Sequence, residues 1–554
     1  MTLLDWLIVF VLNGAVILYG FYLARGTETS SEWFLGARAL PWWVIGFSMF
    51  ATNVDNADLV SVTGNTFNEG LHIISVYAIG SVLGGVLAAF LVVPSIYRMG
   101  FYTNAEYLEA RFGPAARAAS AVIQLQYRSS MLGLMTWSVY LLLTRLVNLS
   151  SSMAWTLIIL MVVLAGFYTA WGGLKSVVWT DVCQGLIILA ASAVIFVAIW
   201  QAVGGWSGMN ASLRELGESQ GRPLEDLPHV GRFHGDTGYT SPLLVVLGWS
   251  IIGSGYWTVN HTQTMRLMGA RSLWDMKMAA VAGVGLSMPV MVACACMGVF
   301  ARALDLPEFQ TMKTADEVYP ILANRFLAPG WKGLVVAGVA AAAVSTFDSM
   351  GSALSAIFTR DIYARFLVRD REDAHYVLVG RIATVGILTL GFLYLPFILR
   401  QQSMIRAFTT LIPVFVTPLF TMYVLGVATR VHHRSGLIGL AAGSLYGVLA
   451  LVDREFIDLA WMPDWLSERW MALSVSLIVT AVTMGLVTAV LGRQSAESTV
   501  VAFAEQGWLQ RSREALPPLL ESPFATAPPV WLRPVGWAAV LMAVSLWVVF
   551  GLFW

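Results

Sequence analysis

Charge is scarce in this 554-residue sequence: 12% of residues are Asp, Glu, Lys or Arg, against 57% that are hydrophobic. That is roughly half the charged share of an ordinary soluble domain, too little to cover a water-facing surface. The 33 basic and 33 acidic residues cancel, so no bulk charge favours a nucleic-acid partner. Cysteine is nearly missing; Cys183, Cys294 and Cys296 all lie inside apolar blocks, where they read as core residues rather than a disulfide framework or zinc site. No G-x-x-x-x-G-K-[ST] run is present to cradle a nucleotide. The apolar blocks also lack a nucleophile and base pair or a metal-ligand cluster, so the chain does not read as an enzyme.

What is present is a succession of apolar blocks. A helix needs about 20 apolar residues to cross roughly 30 Å of hydrocarbon, and blocks of that kind recur from near Val16 to near Val544. The expectation is an all-α membrane protein with about fourteen transmembrane helices. The first block, Trp6 to Ala24, lacks a basic leading region and a small-residue cleavage site, and so reads as a retained helix. Basic residues set the orientation: with the amino terminus outside, Arg25, Arg38, Arg98, Arg111, Lys175, Arg266, Arg271, Lys277 and the Arg360 to Arg371 cluster fall on the cytoplasmic side. The polar segment 203–240 is then extracytoplasmic, and the proline-bearing linker 493–529 is cytoplasmic.

Within such a protein, polar residues at membrane depth mark function by default, because burying them is costly. Three places qualify. Asn53, Asp55, Asn56 and Asp58 crowd six residues of the second block, and Asn and Asp favour local backbone bonds over helix interiors. They predict an unwound stretch whose freed carbonyls suit a hard cation. Between Leu334 and Phe358, residues Ser345, Asp348, Ser349, Ser352 and Ser355 recur at helical spacing and form one polar stripe. Asp181 is the third, expected near the cytoplasmic surface and either functional or neutralised by Lys175 or Arg128.

The stretches Trp33-Phe34-Leu35-Gly36-Ala37-Arg38 with Pro41-Trp42-Trp43, Gly173-Leu174-Lys175-Ser176-Val177-Val178-Trp179-Thr180-Asp181, and Gly333-Leu334 through Ser345 to Arg360-Asp361-Ile362-Tyr363 resemble the sodium:solute symporters, the family of sodium/glucose cotransporters. The resemblance implies a LeuT-type five-plus-five inverted repeat. It would place an extra helix and loop at 1–39, the first repeat at 40–202, the second at 241–428 and further helices at 429–554. Its broken helices would lie near Asn53 and near Gly253-Ser254-Gly255, with ion and solute between them.

Carried across by residue, the resemblance implies a sodium site from the carbonyls of Ala51, Val54 and Ala342 and the hydroxyls of Ser345 and Thr346. It implies a second cation site from Asp181, Ser345, Asp348 and Ser349, and solute contacts from Asp58, Tyr77 and Asn260. Asp348 stands where a hydroxyl residue is usual in the family. Tyr77, Gly285 and Asp58 depart from the sugar-transporting pattern and count against glucose or galactose. The function implied is a sodium-coupled symporter of a small polar solute, sugar-like by preference, in a cell membrane, with Na⁺ as coupling ion and no obligatory protein partner. A proton-coupled carrier, motivated by Asp348 and Asp55, and a transporter-like solute sensor stay open.

Overall fold

The computed structural model describes residues 1–25, 29–233, 240–398, 404–494, 507–524 and 528–554. Among them the chain is helical, apart from turns and one isolated bridge between Leu40 and Ala270. In chain order the principal helices are α1 (Leu3–Leu23), α2 (Trp42–Asn53), α3 (Asn56–Glu69), α4 (Leu71–Arg98), α5 (Asn104–Phe112) and α6 (Pro114–Leu141). There follow α7 (Ser151–Val203), α8 (Gly205–Gln220), α9 (Pro242–Val259), α10 (His261–Met268), α11 (Leu273–Leu304) and α12 (Trp331–Leu367). The last are α13 (Asp373–Tyr394), α14 (Met404–Ala428), α15 (Ser435–Glu455), α16 (Arg469–Leu491), α17 (Trp508–Glu514) and α18 (Pro534–Leu552).

Eleven of these are long and apolar enough to cross a membrane: α1, α4, α7, α9, α11 to α16 and α18. The expected fourteen exceeds that number at three identifiable places. The pair α2 and α3 is interrupted by its Asn and Asp residues, and α6 carries Arg117, Gln124 and Arg128 inside its length. The third place is α7, whose 53 residues would extend about 80 Å at 1.5 Å per residue, far beyond one bilayer. It bends at Gly173, where φ is 57° and ψ is −156°. A Cβ there would stand 2.4 Å from the Trp33 carbonyl oxygen, so the Trp33 backbone fills the bend and only glycine admits it. The Trp33 indole also donates to the Ala170 carbonyl, 3.0 Å away.

The helices nearest the centre are buried on most faces, whereas α1, α15, α16 and α18 keep broad apolar surfaces exposed. That is the pattern of a bundle whose outer helices meet lipid. At the core, α12 packs on α7 and touches α2, while α11 packs on α2 and α3.

Several expectations change here. Arg38, Arg111, Arg266 and Arg360, counted as cytoplasmic charges, are buried and held by specific partners. The charge count therefore mixes interfacial residues with internal ion pairs. The segment 203–240 contains α8, which buries Met209 and Leu213; its residues 234–239 lie outside the described set. In the linker 493–529, residues 495–506 and 525–527 lie outside it as well, but α17 is a docked helix whose Trp508 stacks on Tyr376 at 3.9 Å between ring centroids.

Candidate functional site

The α2–α3 break falls at Val54 and Asp55. Asp55 turns extended (φ −90°, ψ 171°), and its side chain accepts from the Asp58 N–H at 2.7 Å, capping α3. Val54 still donates to the Phe50 carbonyl, so the later carbonyls of Ala51, Thr52 and Asn53 face a helix end without the usual i+4 amides. Thr52 spends its carbonyl on the Tyr256 hydroxyl, 3.3 Å away. Its own hydroxyl lies 3.1 Å from that of Ser349 on α12.

Ala51, Val54, Ala342, Ser345 and Thr346 are all buried. The two hydroxyls aim their protons elsewhere: Ser345 donates to Asp181 Oδ1 at 2.6 Å, and Thr346 donates to the Ala342 carbonyl at 2.9 Å. An oxygen that has given its proton away still offers lone pairs.

The second break differs from its expected position. Gly253-Ser254-Gly255 stays helical within α9, and the interruption comes at Asn260 between α9 and α10. The glycines serve packing instead: a Cβ on Gly253 would come within 2.5 Å of the Gly80 backbone of α4. Asn260 caps α10 by accepting from the Thr262 N–H at 3.1 Å and its hydroxyl at 2.7 Å. It does not line the cavity described below, so the structure does not bring it together with Asp58 and Tyr77.

Asp181 is not interfacial. It is fully buried, and it accepts from Ser48 (2.5 Å), Ser345 (2.6 Å) and the Arg266 guanidinium (2.9 Å). Neither Lys175, which is exposed, nor Arg128 is its partner. Arg266 also bonds the Ser349 hydroxyl, the Ser48 hydroxyl and the Thr262 carbonyl. A resident guanidinium thus stands among Asp181 and Ser349, where the resemblance implies a second metal cation, and already draws on their lone pairs. Asp348 is turned aside: one oxygen accepts from the Tyr168 hydroxyl, and the other has no partner in the structure. Nothing in local sequence singles out Arg266, since its side-chain acceptors Asp181, Ser349 and Ser48 are 85, 83 and 218 residues away; only its position six residues beyond the break hints at a role.

Between the two breaks lies a cavity of about 80 Å³, lined among others by Asp55, Asp58, Tyr77, Arg128, Trp249 and Tyr256. Trp249 donates to His72 Nδ1 at 2.9 Å and meets Trp470 at 4.9 Å between centroids. Trp470 and Glu69 in turn line a charged depression, or vestibule, of about 610 Å³. The aromatic group therefore stands between that vestibule and this inner polar chamber.

The chain is 25% identical over 466 residues to a sodium/glucose cotransporter 2 of Rattus norvegicus, covering 78% of this chain and 68% of that protein. It is 25% identical over 543 residues to a sodium/myo-inositol cotransporter 2 of Bos taurus, covering 92% and 79%. Its fold matches the substrate-bound outward-open structure of a sodium-coupled sialic acid symporter with a TM-score of 0.73 at 18% identity, over 88% of this chain and 98% of that one. The model of the sodium:solute symporter family matches residues 33–443. The chain is a helical multi-pass protein that belongs to the sodium:solute symporter family, whose members here are transporters and not enzymes.

Proposed function

We propose that this protein is a sodium-coupled symporter that moves a small polar organic solute across a cell membrane by alternating access. The architecture we assign to it is fourteen crossings with repeats at 40–202 and 241–428, a leading helix within 1–39, an outer segment at 203–240 and trailing helices at 429–554. The observation that carries the reading is the meeting of the α2 end with the α12 hydroxyl stripe at Thr52 and Ser349. Sodium would take neutral oxygens there: the carbonyls of Ala51, Val54 and Ala342 and the hydroxyls of Ser345 and Thr346. Binding would tie α2 to α12 and favour the solute-binding state. A charge moving through the membrane potential then contributes about 2.3 kcal/mol per 100 mV.

Arg266 alters the second half of the expected site. A fixed guanidinium at Asp181 and Ser349 supports one coupling ion, because a metal cation beside it would meet like charge. The sugar-like preference draws on the relatives' names; the chamber itself supports a polar solute.

Uptake into proteoliposomes under an imposed Na⁺ or H⁺ gradient tests the reading. A sodium gradient alone is expected to drive accumulation, and Ser345→Ala is expected to lower the apparent sodium affinity by at least tenfold. Accumulation driven by protons alone and indifferent to Ser345→Ala would abandon it. One observation favours that rival: Asp348 is fully buried with an oxygen that has no partner, and protonation is the cheapest way to keep such a group. Asp348→Asn is expected to preserve sodium-driven uptake.

A further inference from the structure

The inner chamber is lined by two acids and one base. Asp55 and Asp58 enter from the α2–α3 break, and Arg128 enters from α6. Arg128 is 3% exposed; its guanidinium lies 5.5 Å from the centre of the Tyr256 ring and 5.9 Å from that of Tyr127. Its Nε has no hydrogen-bond partner, and among the described residues it forms no ion pair. Asp55 accepts from the Asp58 N–H, and the Asp58 carboxylate meets the Tyr77 hydroxyl; Arg128 acts on both acids through space without a direct ion pair among the described residues. Some buried charges in this protein are matched directly, as Asp181 is by Arg266 and Asp361 is by Arg117, whereas Asp348 has no base beside it among the described residues. The chamber is thus a place where buried opposite charges face a common space without closing on each other.

We propose that the solute is a small zwitterion, its cationic group held by Asp58 and Asp55 and its anionic group held by Arg128. This deepens the symporter reading and rests on it. Two further features fit. Tyr77 and Trp249 line the chamber together with the acids, and aromatic rings attract an ammonium group. A neutral sugar would bring no countercharge to Arg128 once water is expelled, whereas a zwitterion brings one to Arg128 and one to the acids.

The test is a binding panel on the purified full-length protein, read as ligand-dependent thermal stabilisation with and without Na⁺. The probes are glycine betaine and L-alanine as zwitterions, myo-inositol and glucose as neutral polyols, tetramethylammonium as a cation and lactate as an anion. In sodium, a zwitterion is expected to bind at least tenfold more tightly than either polyol. Asp58→Asn and Arg128→Gln are each expected to weaken it at least tenfold. Arg128→Gln is expected to spare tetramethylammonium and Asp58→Asn to spare lactate, a charge-specific pattern that mere misfolding would not give. Tighter sodium-dependent binding of myo-inositol, glucose or lactate than of both zwitterions overturns the proposal while leaving the symporter reading in place. If no probe binds and sodium itself stabilises nothing, the symporter reading falls and the zwitterion falls with it.

Discussion

The two ends of the helical body handle charge in opposite ways. At the arginine-rich end, Arg117 is completely buried and reaches Asp361 (2.7 Å), Glu109 (2.8 Å) and Glu106 (3.4 Å). Arg360 joins Glu106 at 2.7 Å, and Arg365 joins Glu109 at 2.6 Å. The segment around α17 lies across this network. Ser512 takes bonds from Arg360 and Tyr102, and Leu520 and Glu521 accept from the Leu273 and Trp274 backbone. At the opposite end, Asp226 and Arg232 pair at 3.2 Å on the rim of the vestibule with the Arg232 side chain about half exposed. The Arg117 network is desolvated, and the Asp226–Arg232 pair is partly solvated. The same residue types seal or merely decorate, depending on burial.

The sharpest way to break this comparison is Arg117→Ala. It strands the buried Asp361 and takes one of two bases from Glu106 and Glu109, and is expected to cost about 3–5 kcal/mol, the usual penalty for removing one partner of a buried pair. A fall in melting temperature no larger than that of a surface variant would refute the sealed description. Next in size is Trp508→Ala, which removes an indole stacked on Tyr376 and bonded to Asp373. A loss of about 3 kcal/mol is expected from a large buried aromatic, together with faster labelling of a cysteine placed at Ser512.

Comparable in size, when summed over its whole pH range, is an effect of pH. Asp316, at the same end as the vestibule, is pushed up to about 7 by burial, with the Met404 N–H bond opposing and neighbouring Glu317 adding to the rise. Its folded pKa exceeds the unfolded value of 3.8, so the folded state holds a proton that the unfolded chain has released. The resulting stability is complete below about pH 4 and is lost as pH rises through about 7, at about 1.4 kcal/mol for each pH step between those two values. Melting temperatures from pH 4 to 8 are expected to fall less steeply in Asp316→Asn than in the native protein. The smallest effect belongs to Arg232→Ala, below about 1 kcal/mol and reduced further by salt. A loss comparable to that of Arg117→Ala would erase the difference between the ends.

The first helix break is legible in sequence because its cause is local: Asn and Asp compete for backbone within a few residues, and Asp55 does so by capping α3. The second is not, because Gly253 and Gly255 look like a hinge in isolation, while their use is close approach to α4 and α14. Asn260, the true interruption, carries a weaker signal: a single polar residue that doubles as a cap. Asp181 stands out along the chain, yet its depth does not, because hydropathy cannot say which basic residue will reach an acid buried in the bundle.

The sequence by itself determined the helical, membrane-spanning character, the family, the frayed stretch at Asn53 to Asp58 and the polar stripe of α12. Each follows from composition, spacing or motifs read along the chain. Tertiary structure decided which charges are matched. Arg266 meets Asp181, and Arg128 shares an inner chamber with Asp55 and Asp58. Those outcomes join residues tens to hundreds of positions apart, and burial, which makes a charge costly or useful, exists only once the helices have packed.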